Sequence, residues 1–334
     1  MKIIKISHIW TSGIGHVISS LIFNLIKNLS NKEIIFVKPS EADLLIIGCY
    51  NLDKISNRVC KGLSRRFKAP KIHDFIESYQ QSILFRKTQP LKIFYSTENF
   101  RHDAIKADFS ITFDLGVNNE NHLRIPMWKE NIDWSKYGVT REPSFFFKNK
   151  KYNFENVLRF GSFYNLTELT QPQESLFLDK KNVCIFTTLL NEPRKTMYNE
   201  FSKNFIVHGY GKYFNSSIEN HNKSNFTKKE IMQNYAFNLC PHNAIYPGLY
   251  EEKVPEAFLG KCLPITWADQ NIDKDFNSKA FVNLNDHIKD NYKEIIYLLK
   301  QREYLQKFVD QPLLLSEPNL EKEIKFAKKI IDCL

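Results

Sequence analysis

The sequence predicts an α/β protein of two domains, each built on a parallel sheet. Three observations carry this. Short runs that are almost continuously apolar, at 33–37, 43–48, 91–96 and 108–113, alternate with segments of helical length, as strands covered on both faces do. A second series of the same kind begins at Asn182, after a polar, aromatic stretch from Lys136 to Phe163 that reads as a crossing between domains or a loop folded over one. The chain has 334 residues, 43% of them hydrophobic, enough for two cores.

Taken in order, Ile3 to Ile9 is the first strand, Ser12 to Gly15 a turn, and Val17 to Leu29 a helix with apolar residues at helical spacing. The strands 33–37 and 43–48 follow; 51–67 and 73–85 carry no clear pattern. The strand Leu91 to Ser96 runs into Thr97-Glu98-Asn99, and the strand Asp108 to Phe113 into Asp114; Leu123 to Met127 completes the region. In the second series, Asn182 to Leu189 is a strand and Glu192-Pro193-Arg194 opens a helix that continues through Phe201. Asn204 to His208 is a strand, Gly209-Tyr210-Gly211 a turn, Phe214 to Thr227 a loop and Lys228 to Gln233 a short helix. Phe281 to Leu284 is a strand, 286–308 an amphipathic helix, and Leu320 to Leu334 a last amphipathic helix.

The second series is organised around Tyr235 to Asn271. An apolar strand, 235–240, leads into the loop Pro241 to Tyr250; Glu251-Glu252-Lys253 then opens a helix over 254–259, which stops at Gly260 before the strand 262–267. In such a βαβ unit the loop after the first strand faces the ligand crevice. Lys253 there suits a phosphate, and an adjacent acid suits sugar hydroxyls; the plain alternative is a solvated first turn. Arg194 at its strand-to-helix junction and Glu98 past the end of its strand have the same two readings: phosphate contact and general base, or surface groups. Asp273-Lys274-Asp275 could in principle hold a divalent cation, but its polar setting reads as a loop.

The formal net charge of +10 suits anionic partners, yet the basic residues are scattered and no nucleic-acid motif appears, which excludes nucleic acid. The six cysteines, at 49, 60, 184, 240, 262 and 333, form no C-x-x-C pair; four lie in apolar runs, as buried reduced thiols do. The start of the chain does not read as a signal peptide and no long apolar span occurs, so a cytoplasmic location is expected.

Several motifs in order now resemble one family, the α-1,3-fucosyltransferases of glycosyltransferase family 10, bacterial members most closely. That family's donor signature reads approximately F-x-L-x-x-E-N-S, a short loop, then Y-x-T-E-K. Its counterparts here are Phe237 to Ala244 (FNLCPHNA) and Leu249 to Lys253 (LYEEK). Phe94 to Asn99 (FYSTEN) is similar to the family's F-Y-T-G-E-N, and Asn191 to Arg194 (NEPR) to the segment with its phosphate-binding arginine. Ile111 to Asp114, Leu123 to Met127, LPITWAD and Asp275 to Asn283 extend the likeness from about Leu91 to Asn283.

The resemblance implies an α/β GT-B glycosyltransferase fold of two facing Rossmann-like domains with a C-terminal helix. Residues 1–160 would form the acceptor side carrying the base, and 161–334 the GDP-sugar-binding domain plus the terminal helix. It implies inverting transfer of fucose from GDP-fucose, with no cofactor and no metal, to O3 of N-acetylglucosamine in an oligosaccharide or lipid-linked surface glycan, such as lipopolysaccharide or capsule. Peripheral contact with the inner face of a membrane is compatible with that acceptor. Glu98 would be the base and Tyr95 the aromatic beside it. Arg194 and Lys253 would hold the diphosphate, Glu252 and Asn243 ribose or fucose hydroxyls, and Tyr250 would stand on the donor side. The pattern departs at His242 for Glu, Ala244 for Ser, Leu249 for Tyr (with Tyr250 one place on) and Glu251 for Thr. All four lie around the donor pocket, which keeps open a different nucleotide sugar. A non-catalytic binding protein and a basic membrane-surface adaptor using residues 312–334 are the rival classes.

Overall fold

The computed structural model describes residues 3–49, 89–173, 175–214 and 226–334. The unassigned stretches 51–67 and 73–85, Cys60 and most of the loop expected over 214–227 lie outside the described residues. The chain forms two compact units: Met1–Ile125 with Trp134–Arg141 and Asn319–Leu334, and Pro126–Asp133 with Glu142–Pro318.

In the first unit, strands β1 (Ile3–Ile9), β2 (Glu33–Phe36), β3 (Leu44–Ile47), β4 (Leu91–Tyr95), β5 (Phe109–Thr112) and β6 (His122–Arg124) form one sheet in the order β2-β1-β3-β4-β5-β6. Every pairing is parallel. The apolar runs are explained by this arrangement: β3 and β5 are buried along their whole length, and Leu45, Ile47, Phe94 and Ile105 pack together. The helix expected over 17–29 is two helices, Ile14–Ser19 and Leu21–Ser30. Ser20 separates them because its hydroxyl accepts from the Phe23 N–H at 3.3 Å, ending one helix and capping the next.

A hairpin of β7 (Ser144–Phe147) and β8 (Lys150–Asn153) and a helix, Glu155–Phe160, occupy the stretch that reads as irregular. Lys148 and Asn149 turn the hairpin at φ 47° and 61°, a conformation usually signalled by glycine, which this sequence lacks there. The second sheet follows: β9 (Val183–Phe186), β10 (Val207–Tyr210), β11 (Phe237–Leu239), β12 (Leu263–Thr266) and β13 (Val282–Asn283), parallel throughout in the order β10-β9-β11-β12-β13. Strand β10 sits later in sequence than expected, taking in Gly209 and Tyr210, because its register pairs Val207 with Val183 and Tyr210 with Phe186. The single helix expected over 286–308 is broken: Asn291 and Tyr292 have φ of 57° and 64°, and the helix Lys293–Leu298 starts after them. Buried Ile295, Ile296 and Leu299 keep its apolar side on the second core.

The terminal helix corrects the expected division of the chain. Glu321–Asp332 belongs to the first unit, and the second unit takes in Pro126–Asp133 and then runs from Glu142 rather than from 161. Its apolar stripe decides this: Phe326, Ala327 and Ile330 are buried, and Phe326 meets Phe109 of β5 edge to face at 5.5 Å. The same burial takes away the apolar face on which a membrane adaptor would depend. Among the described residues no helix is long and apolar enough to cross a membrane. The described cysteines are all free: Cys49, Cys184, Cys240 and Cys262 are buried and Cys333 is exposed. Phe326→Ala is expected to cost about 3 kcal/mol of stability, measured as a fall in the denaturation midpoint.

Candidate functional site

In parallel sheets the loops after the strands gather at one edge, and ligands bind where the strand order reverses. In the second sheet β9 lies between β10 and β11, so that reversal falls at β9. A cavity of about 370 Å³ opens there. Phe186 at the end of β9 with Thr187 and Thr188 after it, Tyr210 at the end of β10 with Gly211 after it, and Asn243 after β11 form part of its wall. Arg194, Lys228, Arg159 and the helix residues Glu252, Lys253 and Glu256 complete it. Gly211 is required: its φ is 113°, and a Cβ would stand 2.2 Å from the Thr187 carbonyl oxygen. Phe186 and Tyr210 stack with ring centroids 4.9 Å apart, and the Lys228 ammonium lies over the Phe186 ring.

Two cations converge on one atom. The Oδ1 of Asn243 accepts from an Arg194 Nη and, at 3.3 Å, from Lys253 Nζ. Both are donors only, so a negatively charged oxygen brought to this point meets two positive charges at once. Arg194 opens the helix Arg194–Ser202, whose first turn is fixed by Glu192: its carboxylate accepts from Thr196 N–H at 3.2 Å and from the Thr196 hydroxyl at 2.6 Å.

Next to this point lies Glu251, for which local spacing leaves a solvated first turn as one of two readings. It is buried; its carboxylate pairs with Lys253, accepts the Asn243 N–H at 3.2 Å, and lies 3.5 Å from His242 Nδ1. His242 is fully buried and its Nδ1 accepts the Glu251 N–H at 3.2 Å. Burial alone would raise the Glu251 carboxyl, but Lys253 and His242 outweigh it and bring it down to about 2. The Lys253 ammonium is disfavoured by burial and rescued by Glu251 and Glu252, with a net upward shift. A second ion pair, Lys228 with the buried Glu256, braces the wall; there burial prevails and the Glu256 carboxyl is shifted up.

Of the residues singled out in the sequence, Arg194, Asn243, Glu252 and Lys253 therefore share one cavity. Tyr250 does not line it; its ring is buried between His242 and Phe276, at centroid distances of 6.0 and 6.3 Å. Asp275 accepts the Trp128 indole N–H at 2.7 Å, and Asp273 is exposed. Among the described residues no group of three or more His, Cys, Asp or Glu is placed to hold a metal ion.

Glu98 and Tyr95 belong to the first unit and are not among the residues that line this cavity. Tyr95 ends β4, buried, with its ring 5.3 Å from that of His16. Burial, with a smaller contribution from His8, lowers the His16 imidazole to about 4, so it is neutral at physiological pH. Glu98 is half-buried in the bend after β4, where Ser96 Oγ accepts its N–H at 3.2 Å. The far side of that bend is latched by buried Asp114, which accepts His102 N–H at 2.8 Å, Thr112 Oγ1–H at 2.7 Å and Arg101 Nη1 at 3.1 Å.

Two parallel-sheet units, one with a cationic cavity at its carboxyl edge, are the α/β architecture expected of the GT-B class. Crystal structures of an α1,3-fucosyltransferase share the fold: one superimposes with a TM-score of 0.64 at 21% identity, covering 99% of this chain and 90% of that one. A second, with GDP-fucose, gives 0.63 at 19%, covering 99% and 91%. The alpha-(1,3)-fucosyltransferase FucT N-terminal domain model matches residues 45–130, and the model for the C-terminal part of glycosyltransferase family 10 (fucosyltransferase) matches 179–310. The chain belongs to glycosyltransferase family 10. The alpha-(1,3)-fucosyltransferase FucT of Helicobacter pylori is 28% identical over 244 residues, 66% of this chain and 47% of the relative. A putative fucosyltransferase of Acanthamoeba polyphaga mimivirus is 24% identical over 184 residues, 52% and 29% respectively. The chain thus spans about half the length of the first of these relatives and less of the second.

Because the Glu251 carboxyl is depressed in the folded protein, its contribution to stability is complete above the ordinary value of 4.5 and is lost as pH falls toward about 2. Glu251→Gln should flatten the acid limb of the stability–pH curve between those values and cost about 3 kcal/mol at neutral pH, read by denaturant titration at several pH values. Asp114→Ala should loosen the bend that carries Glu98, read as faster amide exchange at His102 and a lower denaturation midpoint.

Proposed function

We propose that the protein is an inverting, metal-independent α-1,3-fucosyltransferase. It transfers L-fucose from GDP-fucose to a hydroxyl, O3 of N-acetylglucosamine, in an oligosaccharide or lipid-linked surface glycan. The observation that carries this reading is the convergence of Arg194 and Lys253 on one oxygen in the cavity at the switch point of the second sheet. Family membership and the GDP-fucose complex of a protein with the same fold support the choice of donor.

The chemistry is one displacement. Glu98 takes the proton of the acceptor hydroxyl as its oxygen attacks the anomeric carbon of fucose. The bond from that carbon to the β-phosphate oxygen breaks, and GDP leaves with an added negative charge. Arg194 and Lys253 face that charge with fixed cations, stabilising the transition state more than the bound donor. Glu252 and Asn243 hold ribose or fucose hydroxyls, and Tyr95 backs the base. The transfer takes place at the cytoplasmic face of a membrane, where lipid-linked glycans are built.

A second reading, the same reaction with another nucleotide sugar, is favoured by one observation. His242 and Leu249, two departures from the family pattern, are both buried. Incubation with a panel of GDP- and UDP-sugars and a mixed glycan array, read by mass spectrometry, separates the readings: transfer from GDP-fucose alone is expected, and transfer only from another donor overturns it. Glu98→Gln should lower kcat by ~10²–10⁴-fold with GDP affinity unchanged. Wild-type protein that binds GDP but turns over no donor would instead mark a non-catalytic binder.

A further inference from the structure

We propose that the hairpin of β7 and β8 is a docking element, and that its partner is an anionic lipid bilayer. The proposal deepens the membrane-face setting of the reaction proposed above, and its test is independent of that reaction. From Phe146 to Lys151 the chain reads Phe-Phe-Lys-Asn-Lys-Lys, with two aromatics, three lysines and no acid. Phe146 is 74% exposed, more than any other Phe, Tyr or Trp among the described residues. The register explains why. Direct partners in an antiparallel ladder share a face, and successive residues alternate. The pairs Phe145–Tyr152 and Phe147–Lys150 therefore lie on one face, and Phe146–Lys151 on the other. On the first face the rings are covered. Phe145 and Tyr152 stack at 5.8 Å, the Lys150 ammonium lies 5.3 Å from the Tyr152 ring centre, and that of Lys148 lies 5.5 Å from the Phe147 ring centre. On the second face Phe146 stands opposite an ammonium in water.

The element is built before any partner arrives. Lys148 and Asn149 turn it in the left-handed region, and at its base the Phe154 N–H donates to the Pro143 carbonyl at 2.8 Å. Lys148, Lys150 and Lys151 are exposed, and none of them forms an ion pair among the described residues. The acids nearest in sequence, Glu142 and Glu155, stand beyond the base, away from the turn. This combination selects the partner. A lysine ammonium only donates, so three together call for a surface of anionic oxygens. An acidic polysaccharide meets that charge but offers Phe146 nothing apolar. A bilayer meets both demands: lipid phosphates face the lysines, and the ring enters the apolar boundary beneath them. Charge and insertion are together the two signals that attachment of a peripheral protein takes. Each lysine brought to an anionic leaflet strengthens partitioning roughly fivefold, so three supply about a hundredfold, and salt screens that share.

The test is co-sedimentation of the full chain with vesicles of phosphatidylcholine alone and of phosphatidylcholine with phosphatidylglycerol in equal parts, at low and high salt. Binding to the mixed vesicles at low salt, lost on the neutral ones and weakened by salt, is expected. Lys150→Glu with Lys151→Glu should lower that binding by about a hundredfold or more, and Phe146→Ser by about fivefold, with the melting temperature and the rate on a soluble acceptor unchanged. If Phe146→Ser does not fold, the lysine pair carries the test alone. Absence of binding to the mixed vesicles at low salt overturns the proposal. Binding that survives both sets of substitutions overturns it too, because the contact then lies elsewhere on the chain. Retention on an acidic polysaccharide or on single-stranded nucleic acid, without vesicle binding, gives the lysines to a polymer and likewise overturns it. Vesicle binding through the hairpin by a protein that transfers no sugar supports the docking surface and overturns the transferase reading.

Discussion

A cation taken out of water needs a fixed counter-charge, and the second unit is arranged around meeting that need. Lys253 is useful to an anionic ligand only if it is held partly dehydrated and aimed, and such a group is stable only beside a carboxylate with no freedom to leave. Glu251 is that carboxylate. Its position ties three segments together: the loop after β11, through His242 and the Asn243 N–H; the start of the helix Lys253–Leu259; and, by way of the Asn243 side chain, the arginine that opens the helix after β9. Electrostatic preorganisation in this sense is a property of the scaffold, present before any ligand arrives.

The scaffold makes this possible because all five strands of the second sheet run the same way. Their carboxyl ends deliver Thr187, Gly211 and Asn243 to one edge from positions far apart in sequence. Opposite ionic demands are then met within one short helix. Lys253 is paired at its first turn and Glu256 one turn on, where Lys228 arrives from another helix and burial keeps the carboxyl shifted up. The first unit uses the same edge differently. There Asp114, at the end of one strand, braces the bend that follows another.

What was legible in the sequence was what repeats. Continuous apolar runs announced the parallel strands, since burial on both faces leaves no alternation. Arg194, Asn243, Glu252 and Lys253 were legible because they sit in short motifs at strand-to-helix junctions. The break at Asn291 and Tyr292 was not, because nothing local distinguishes these residues from a helical polar face. The hairpin at Lys148 and Asn149 was hidden by the absence of glycine. Between the two readings of Glu251 the sequence could not choose, for a physical reason: whether an acid in a first turn is solvated or buried is decided by what lies across the loop, here His242. Arg159, Phe186, Tyr210 and Lys228 give no signal individually and acquire meaning only once the strand order brings them to one wall.

The return of the helix Glu321–Asp332 to the first unit has a consequence for how the molecule is made. The second unit is inserted between early and late parts of the first, so translation delivers it whole before the first can close over Phe109. During that interval β5 and the helix Leu21–Ser30 await their apolar cover while nearly two hundred further residues emerge, on the order of ten to forty seconds at cellular elongation rates. The nascent chain is therefore expected to complete its later unit first, and the earlier one to be a client for chaperones until the last helix docks.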